Sequence, residues 1–547
     1  MCKRWLWIVL LLVPLSVRGQ DDWLRAALEL TGGAEEEALD EQALARFDHY
    51  RNHPVRINRL PRSRLLATGL FSVYQVATLL DYRQHEGDVL SVTELARIDG
   101  FGIRNARALA PFLSFASDRL PGQTEEDDRL QAGATFRATK GSAGWQGSGK
   151  ALVECRRWEA GLAGKAVPGD RPALTSGFAA FQGRRLPLSV IAGDFQARFG
   201  QGLALWSGFS LSGIPTVTAL YKRPAGLSPV RSYGGSGYRG LAADLSLGRW
   251  TLSAFAAARS GLLSGGNLSW YGKYGQVSVT AFHDPAGSSK WAADGRFCLG
   301  GTECFAEVAR DLAASCTAVV GGLVFPWGES RLGLVGRHYP ADYAPEHAGA
   351  IRSGTKVRDE EGLTLAFGNA QLDLSLDAAY HPSRREGQLK GVFSGTLQRG
   401  AWTWKWRLAE RYRSAAPRNR TDVRADLGWT RGAWTLNARL NAVRSKRTGW
   451  LAYAESGWQQ GNWLAWLRGT LVRVDDWEDR VYAYERNAPG FFSVPAYYGR
   501  GFGVSCYAGR KGKHWKAWLQ ASLLAYPWME TKKPGKAGLR LQVTMDW

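Results

Sequence analysis

The stretch that most constrains this chain is Leu539-Arg540-Leu541-Gln542-Val543-Thr544-Met545-Asp546-Trp547, in which every odd position is apolar and every even one polar or charged. Side chains alternate across a strand, so as a strand these residues present one face to an apolar phase and the other to water. Half-buried soluble strands do the same, but this pattern ends on an aromatic residue and recurs through most of the preceding sequence. Trp402, Trp404, Trp406 and Leu408 alternate with Thr403, Lys405, Arg407 and Ala409. Trp434, Leu436, Ala438, Leu440 and Ala442 alternate with Thr435, Asn437, Arg439 and Asn441. A Trp and Leu face opposite an Arg and Lys face is what a membrane barrel with a wet interior requires, because hydrocarbon tolerates no unpaired strand edge.

Composition agrees with a β reading: 24 Trp, 19 Tyr and 65 Gly, but only 3 Met, in 547 residues. Past residue 20 no apolar run of about 18 residues is long enough for a membrane helix; barrel strands need none, since alternation hides their hydrophobicity. Turns share a texture, as in Leu247-Gly248-Arg249-Trp250, Arg399-Gly400-Ala401-Trp402, Arg431-Gly432-Ala433-Trp434 and Gln460-Gly461-Asn462-Trp463. Gly makes the hairpin and Trp starts the next strand at the membrane interface. Residues 128–547, at about 17–20 residues per strand and turn, predict a large antiparallel transmembrane β-barrel of roughly 22–24 strands. A cylinder that wide is either a channel or plugged. Lys222 to Gly240, rich in Gly and Pro, reads as a loop or lumen plug. Gly193 to Leu203 places Asp194, Gln196 and Arg198 on one face before a glycine pair.

Residues 1–19 carry Lys3-Arg4, an apolar run from Trp5 to Leu15 and the small residues Val17 and Gly19, the pattern of a secretory signal peptide cleaved before Gln20. Cys2 falls in that segment. Cys155, Cys298, Cys304, Cys316 and Cys506 follow, an odd number whose spacing matches no zinc site, and they read as small apolar side chains. Cys298 and Cys304 are the two whose spacing would let them pair across a turn. Residues 20–54 form two short amphipathic helices around Gly32-Gly33, with Trp23, Leu24, Ala27 and Leu28 on the first and Leu39, Leu44 and Phe47 on the second.

The most specific local motif is Ile98-Asp99-Gly100-Phe101-Gly102-Ile103-Arg104-Asn105-Ala106-Arg107, where Gly-Phe-Gly opens a helix. Such a turn points backbone N–H groups outward at a helix amino terminus and can hold a phosphate without side chains. Asn58 to Phe115 resembles the tandem helix-hairpin-helix domain of the competence DNA receptors (ComEA-like), including Asp81-Tyr82-Arg83, Gly87, Ser91-Val92, Glu94-Leu95 and Pro111-Phe112. The departure lies in the first hairpin, where Leu70-Phe71-Ser72 replaces the Gly-Ile-Gly of DNA binders. With this variant hairpin and the Gly193–Leu203 segment, the chain is similar to exported Bacteroidota proteins that join a helix-hairpin-helix domain to an outer-membrane barrel. Its terminal strand resembles the recognition signal of bacterial outer-membrane barrels. The implied organisation is a small all-α tandem helix-hairpin-helix domain at 55–116 in the periplasm, an acidic linker at 117–127, and a barrel at 128–547 in the outer membrane.

Charge divides the chain sharply. Residues 21–120 hold 12 Arg, no Lys and 15 Asp or Glu, a net of −3, whereas residues 128–547 carry +24. A domain that grips DNA is normally basic, so protein docking is the first expectation for the helices. Weak DNA contact, if made, would use Gly100, Phe101, Gly102, Arg104 and Arg107. The basic barrel predicts a passage or site for an anionic solute, with Arg198, Lys405, Arg407 and Arg439 facing the lumen, or else an anchor for an envelope protein partner. Outer-membrane lipid is the remaining partner. No cofactor or metal is expected. Gly144 to Lys150 fits a phosphate loop by spacing alone, but Ala151 replaces the magnesium-binding hydroxyl and the sequel reads as strand; a hairpin tip is the plainer reading. The eight His are scattered, so the chain reads as non-enzymatic; in the alternative, a hydrolase embedded in the membrane, Asp284 beside His283 is the pair to inspect. The chain is expected to fractionate with the outer membrane and to migrate differently on gels with and without heating. Recovery as a soluble periplasmic protein would overturn the barrel reading.

Overall fold

A computed structural model describes residues 21–31, 41–117 and 130–547, apart from 142–143, 156, 184–186, 209–215, 234–236, 259–260, 417–418, 492 and 530–533. The signal-like segment, most of the acidic linker and Gly234 to Ser236 lie outside the described residues. From Gln131–Gly141 to Lys536–Asp546, 24 antiparallel strands close into a barrel. The stretch that opened the sequence reading makes the closure. Leu541 pairs with Ala138 and Val543 with Phe136, while the Trp547 N–H donates to the Ala132 carbonyl at 2.8 Å and the Trp547 carbonyl accepts from the Ala132 N–H at 3.1 Å. With an even strand number, the first and last strands begin and end at one rim, called the terminal mouth below.

Alternation appears as expected. Leu252, Val279, Leu408, Leu440, Leu467 and Leu519 point outward and are exposed, whereas the inward neighbours Ser253, Thr280, Ala409, Arg439, Arg468 and Gln520 are buried. Hydrocarbon is the medium such a surface requires. At the terminal mouth the strands join by two-residue turns in which Gly248, Gly400, Gly432 and Gly461 take φ of 56–60°, a conformation open to glycine at little cost. Trp250, Trp402, Trp434 and Trp463 follow those turns and stand exposed on the outer face, forming an aromatic girdle at that rim.

One strand departs from the wall. Leu188–Arg198 pairs with Ala173–Gln182 only from Gly193 downward. At Gly193, φ is 104° and a Cβ would sit 2.2 Å from the Gly177 carbonyl oxygen, so no other residue fits this close approach. Beyond it, Phe195 to Arg198 pair with a short strand, Gly226–Pro229.

The helical domain contains α1 (Asp21–Thr31), α2 (Glu41–Asn52), α3 (Arg62–Ala67), α4 (Val73–His85), α5 (Val92–Leu95) and α6 (Gly102–Leu109). Phe47, Ile57, Leu65, Leu70, Leu79, Leu95, Leu109 and Phe112 build its core. α4 starts on a full capping box, with Ser72 and Gln75 each accepting the other's backbone N–H. Asn58 bridges the two helical pairs by donating to the Val89 carbonyl and accepting its N–H, both at 2.9 Å.

Of the two readings left open for Cys298 and Cys304, the structure shows the unpaired one: both are unbonded. Cys298 pairs in register with Glu303, and Cys304 with Phe297, so the two thiols lie on opposite faces of the sheet. Gly144 to Lys150 belongs to a barrel strand, Gly144–Cys155, with Lys150 paired to Thr135 and Ala163.

Placing a charge at the middle of the outer face should be costly. Leu408→Arg is expected to lower barrel stability by about 2–4 kcal/mol, read from denaturant unfolding in lipid vesicles; a change under 0.5 kcal/mol would place Leu408 outside the hydrocarbon.

Candidate functional site

The candidate site is the lumen, and it is filled. After Arg198 the chain turns inward at Gly200 and Gly202, whose φ values are 57° and 84°. A single wall carboxylate fixes this turn: Glu307 accepts N–H groups from Gln201, Leu203 and Ala204, the last two at 3.1 Å. A Cβ on Gly200 would lie 2.7 Å from that carboxylate. On the neighbouring strand, Arg296 donates to the Gly200 and Lys222 carbonyls. Leu203, Leu205, Val217, Leu220 and Leu227 of this inner segment then pack against inward-facing wall residues such as Phe255, Phe282, Phe305 and Val335. One side of the lumen therefore contains a hydrophobic core of the kind found inside soluble domains.

Two further loops fold into the opposite mouth. Residues 340–359 reach the inner segment through Tyr343, whose hydroxyl donates to the Leu203 carbonyl at 2.8 Å, and through the His347 carbonyl, which accepts from Trp206 N–H at 2.7 Å. The second, 475–498, is held by Arg468, which donates to the Tyr484 carbonyl at 2.6 Å, and by Arg486, 2.9 Å from Glu455.

Wall charges pair across strands. Arg337 bonds Glu360 at 2.6 Å and Asp377 at 2.8 Å, with both Arg337 and Glu360 side chains fully buried. Arg468 joins Glu455, and Arg439 and Arg424 share Asp426. In the inner segment, burial, then Arg352 and Arg198, pulls the Lys222 amine down to about 7. Lys222 and Arg198 lie 5.1 and 5.6 Å from the Trp206 ring.

The helical domain sits against the terminal mouth. His49 and His53, stacked at 5.0 Å, face Glu154 at 3.4 and 3.9 Å. Lys516 donates to Asn52 at 3.1 Å, and Arg62 lies 5.2 Å from the Tyr271 ring. The variant hairpin turn touches the inner segment: Leu70 is fully buried, and its carbonyl accepts from Arg223 at 3.2 Å.

Each residue singled out in the sequence can now be placed. Gly100 and Gly102 have φ of 84° and 63°. A Cβ on Gly100 would meet the Tyr74 ring at 2.6 Å, whereas Gly102 faces open space. Phe101 is core, edge-on to Phe71. Arg104 is committed to Glu29 and to the Asn369 carbonyl of a barrel turn, the latter at 2.8 Å, while Arg107 is exposed. Arg198 lies inside the barrel, donating to the Ser207 carbonyl at 2.8 Å. Lys405, Arg407 and Arg439 all lie on the inward face, with Arg407 3.7 Å from Asp422. Asp284 partners His347 at 2.8 Å, not His283, which meets Ser289. Among the described residues no three His, Cys, Asp or Glu gather as a metal site. Glu307, Arg337 and Tyr233 escaped the sequence reading. The inward parity of Glu307 and Arg337 was legible and Tyr233 lies in the stretch read as a loop or plug, but the partners of all three are remote in sequence.

No protein-family model matches the chain, and no curated protein matches it. Solved structures do. The P pilus usher PapC translocation pore is 10% identical with a TM-score of 0.38, covering 76% of this chain and 99% of that one. An E. coli P pilus tip assembly intermediate, PapC-PapD-PapK-PapG, gives 10% identity and a TM-score of 0.47, covering 78% and 62%. The outer membrane protein OprD from Pseudomonas aeruginosa gives 10% and 0.32, covering 77% and 94%. These are likenesses of one large barrel to another.

Removing the Glu307 carboxylate leaves three N–H groups buried without an acceptor. Glu307→Ala should cost on the order of 3 kcal/mol or more and expose residues 199–207 to added protease; an unchanged digest would show that the turn needs no carboxylate. Docking of α2 should depend on pH. Burial, then Arg231, His53 and Lys150, lowers His49 well below its ordinary 6.5 despite the nearby Glu154. A group so depressed contributes fully above 6.5, and stability falls as pH drops through that value, because the released helix takes a proton the docked one refuses. Hydrogen-exchange protection factors of α2, taken relative to the intrinsic rate at each pH, should therefore fall at pH 5 relative to 7.5, and His49→Leu should flatten the difference.

Proposed function

We propose that this protein is an outer-membrane passage for small anionic solutes, closed in the present state by its own inner segment and capped on the periplasmic side by its helical domain. The observation that carries the reading is the filled but tethered lumen: a wide barrel whose basic wall holds its plug by hydrogen bonds and ion pairs that can exchange with water or a solute. The +24 on residues 128–547 supplies the sign. Barrels with both ends at one mouth thread that mouth to the periplasm, and the short Gly-Trp turns there support the assignment. The helical pairs are of the helix-hairpin-helix type by their resemblance, and their partner in this reading is the barrel itself. Burial of Leu70 and the contact between Arg104 and Asn369 favour docking over DNA.

A second reading keeps DNA, because Gly102 faces open space and Arg107 is exposed. It implies weak, non-specific binding with about two or three phosphates neutralised. In planar bilayers the anion reading expects small conductances with reversal potentials of anion sign in a salt gradient; cation preference would overturn it. Duplex DNA titrated at low ionic strength should not bind the full chain, and binding abolished by Arg107→Glu would instead favour the second reading.

A further inference from the structure

Two cavities lie one above the other along the first barrel strand, Gln131–Gly141. The lower, about 80 Å³, opens between α2 and the wall at the terminal mouth and reaches Thr135, Ser176 and Ser232. The upper, about 10 Å³, sits beneath the loop at Asn487 to Phe491 and is lined by Arg137 and Thr139 of the same strand, with Trp518, Gln520 and Arg540. Thr135, Arg137 and Thr139 are successive inward positions, so the spaces are separated by little more than one two-residue repeat, about 7 Å.

Tyr233 of the inner segment fills that interval. Its hydroxyl donates to the Thr135 carbonyl at 3.2 Å, and its ring lies 4.2 Å from the Arg137 guanidinium carbon and 5.6 Å from the Lys150 amine. The upper cavity is chemically one-sided. Arg137 and Arg540 line it, and no carboxylate does so among the described residues. Its walls also carry polar atoms buried without hydrogen-bond partners: both side-chain polar atoms of Gln520, the Trp518 indole N–H and the Asn487 side-chain nitrogen. Gln520 and Trp518 are 2% and 5% exposed. Unsatisfied buried donors are costly, and here three donor-bearing groups surround a space beside two guanidinium groups. Its volume admits about one water-sized species, which suits a small inorganic anion and excludes a sugar or nucleotide.

We infer that the two cavities are halves of one anion path along the 131–141 and 536–546 wall, closed by Tyr233 against Arg137, with the upper cavity as its binding step. This rests on the anion-passage reading and specifies its route. Roofing the upper cavity, the Pro489 carbonyl accepts from Arg137 at 3.3 Å and from Gln542 at 3.1 Å, so an anion that draws Arg137 away would loosen the loop above it.

The test is conductance of the full chain in planar bilayers under a KCl gradient, with chloride as the probe. Tyr233→Ala should raise conductance several-fold with anion-sign reversal, Tyr233→Phe should change it little, and adding Arg540→Gln to Tyr233→Ala should move the reversal potential toward zero. If Tyr233→Ala stays silent while Glu307→Ala, which loosens the inner segment at another wall, conducts anions, the passage stands and this route is overturned. If neither conducts, the passage reading fails and takes the route with it. A reversal potential indifferent to Arg540→Gln overturns the binding step alone, leaving the upper space as a water site. Should Tyr233→Ala lack the heat-modifiable band of a folded barrel, Tyr233→Leu, which keeps apolar bulk but loses the ring over Arg137 and the hydroxyl bond to Thr135, replaces it: a several-fold rise in conductance of anion sign supports the route, and silence beside a conducting Glu307→Ala overturns it.

Discussion

Everything in this molecule depends on the need to satisfy backbone hydrogen bonds where no water is available. A strand in hydrocarbon must pair on both sides, so the ring has to close, and it closes where Lys536–Asp546 meets Gln131–Gly141. Closure at 24 strands creates an interior too wide for wall side chains alone to fill. The chain meets this by turning one strand inward at Gly193 and packing an apolar segment against Phe255, Phe282 and Phe305. The result combines a membrane barrel with an internal hydrophobic core, and the core exists because the ring is wide.

Charge follows the same logic. Several buried arginines on the inward face draw in carboxylates: Arg337 takes Glu360 and Asp377, and Arg468 takes Glu455. Desolvation offsets much of the attraction in such pairs, so their main effect is on which arrangement forms. They pin loops 340–359 and 475–498 in particular places without making the interior rigid in the way an apolar core does. Glu307 belongs to this set although its partners are backbone N–H groups.

In the helical domain the residues at each interhelical turn decide what the turn can meet. A Gly-x-Gly hairpin turn leaves its amides open to a phosphate. In the first hairpin Leu70 and Phe71 fill that space and become buried, and the Leu70 carbonyl meets Arg223 of the inner segment. The second hairpin keeps its glycines, yet Gly100 is packed under Tyr74, and Arg104 is held by Glu29 and a barrel turn. Both turns thus make their contacts within the protein, while Gly102 faces open space.

Alternation and the Gly-Trp turns were readable in the residues alone, because inward or outward direction in a strand depends only on parity and a tight hairpin only on its neighbours. The inward placement of Lys405, Arg407 and Arg439 followed from the same parity. What each inward side chain meets was not readable. Glu307 contacts residues 103 to 106 positions away, Arg104 a turn 265 positions away, and Asp284 takes His347 across 63 positions while its sequence neighbour His283 turns elsewhere. Cys298 and Cys304 looked close enough to pair until the register set them on opposite faces of the sheet. Parity is a property of the chain, whereas partners across a lumen are decided only when the ring closes and its interior must be filled.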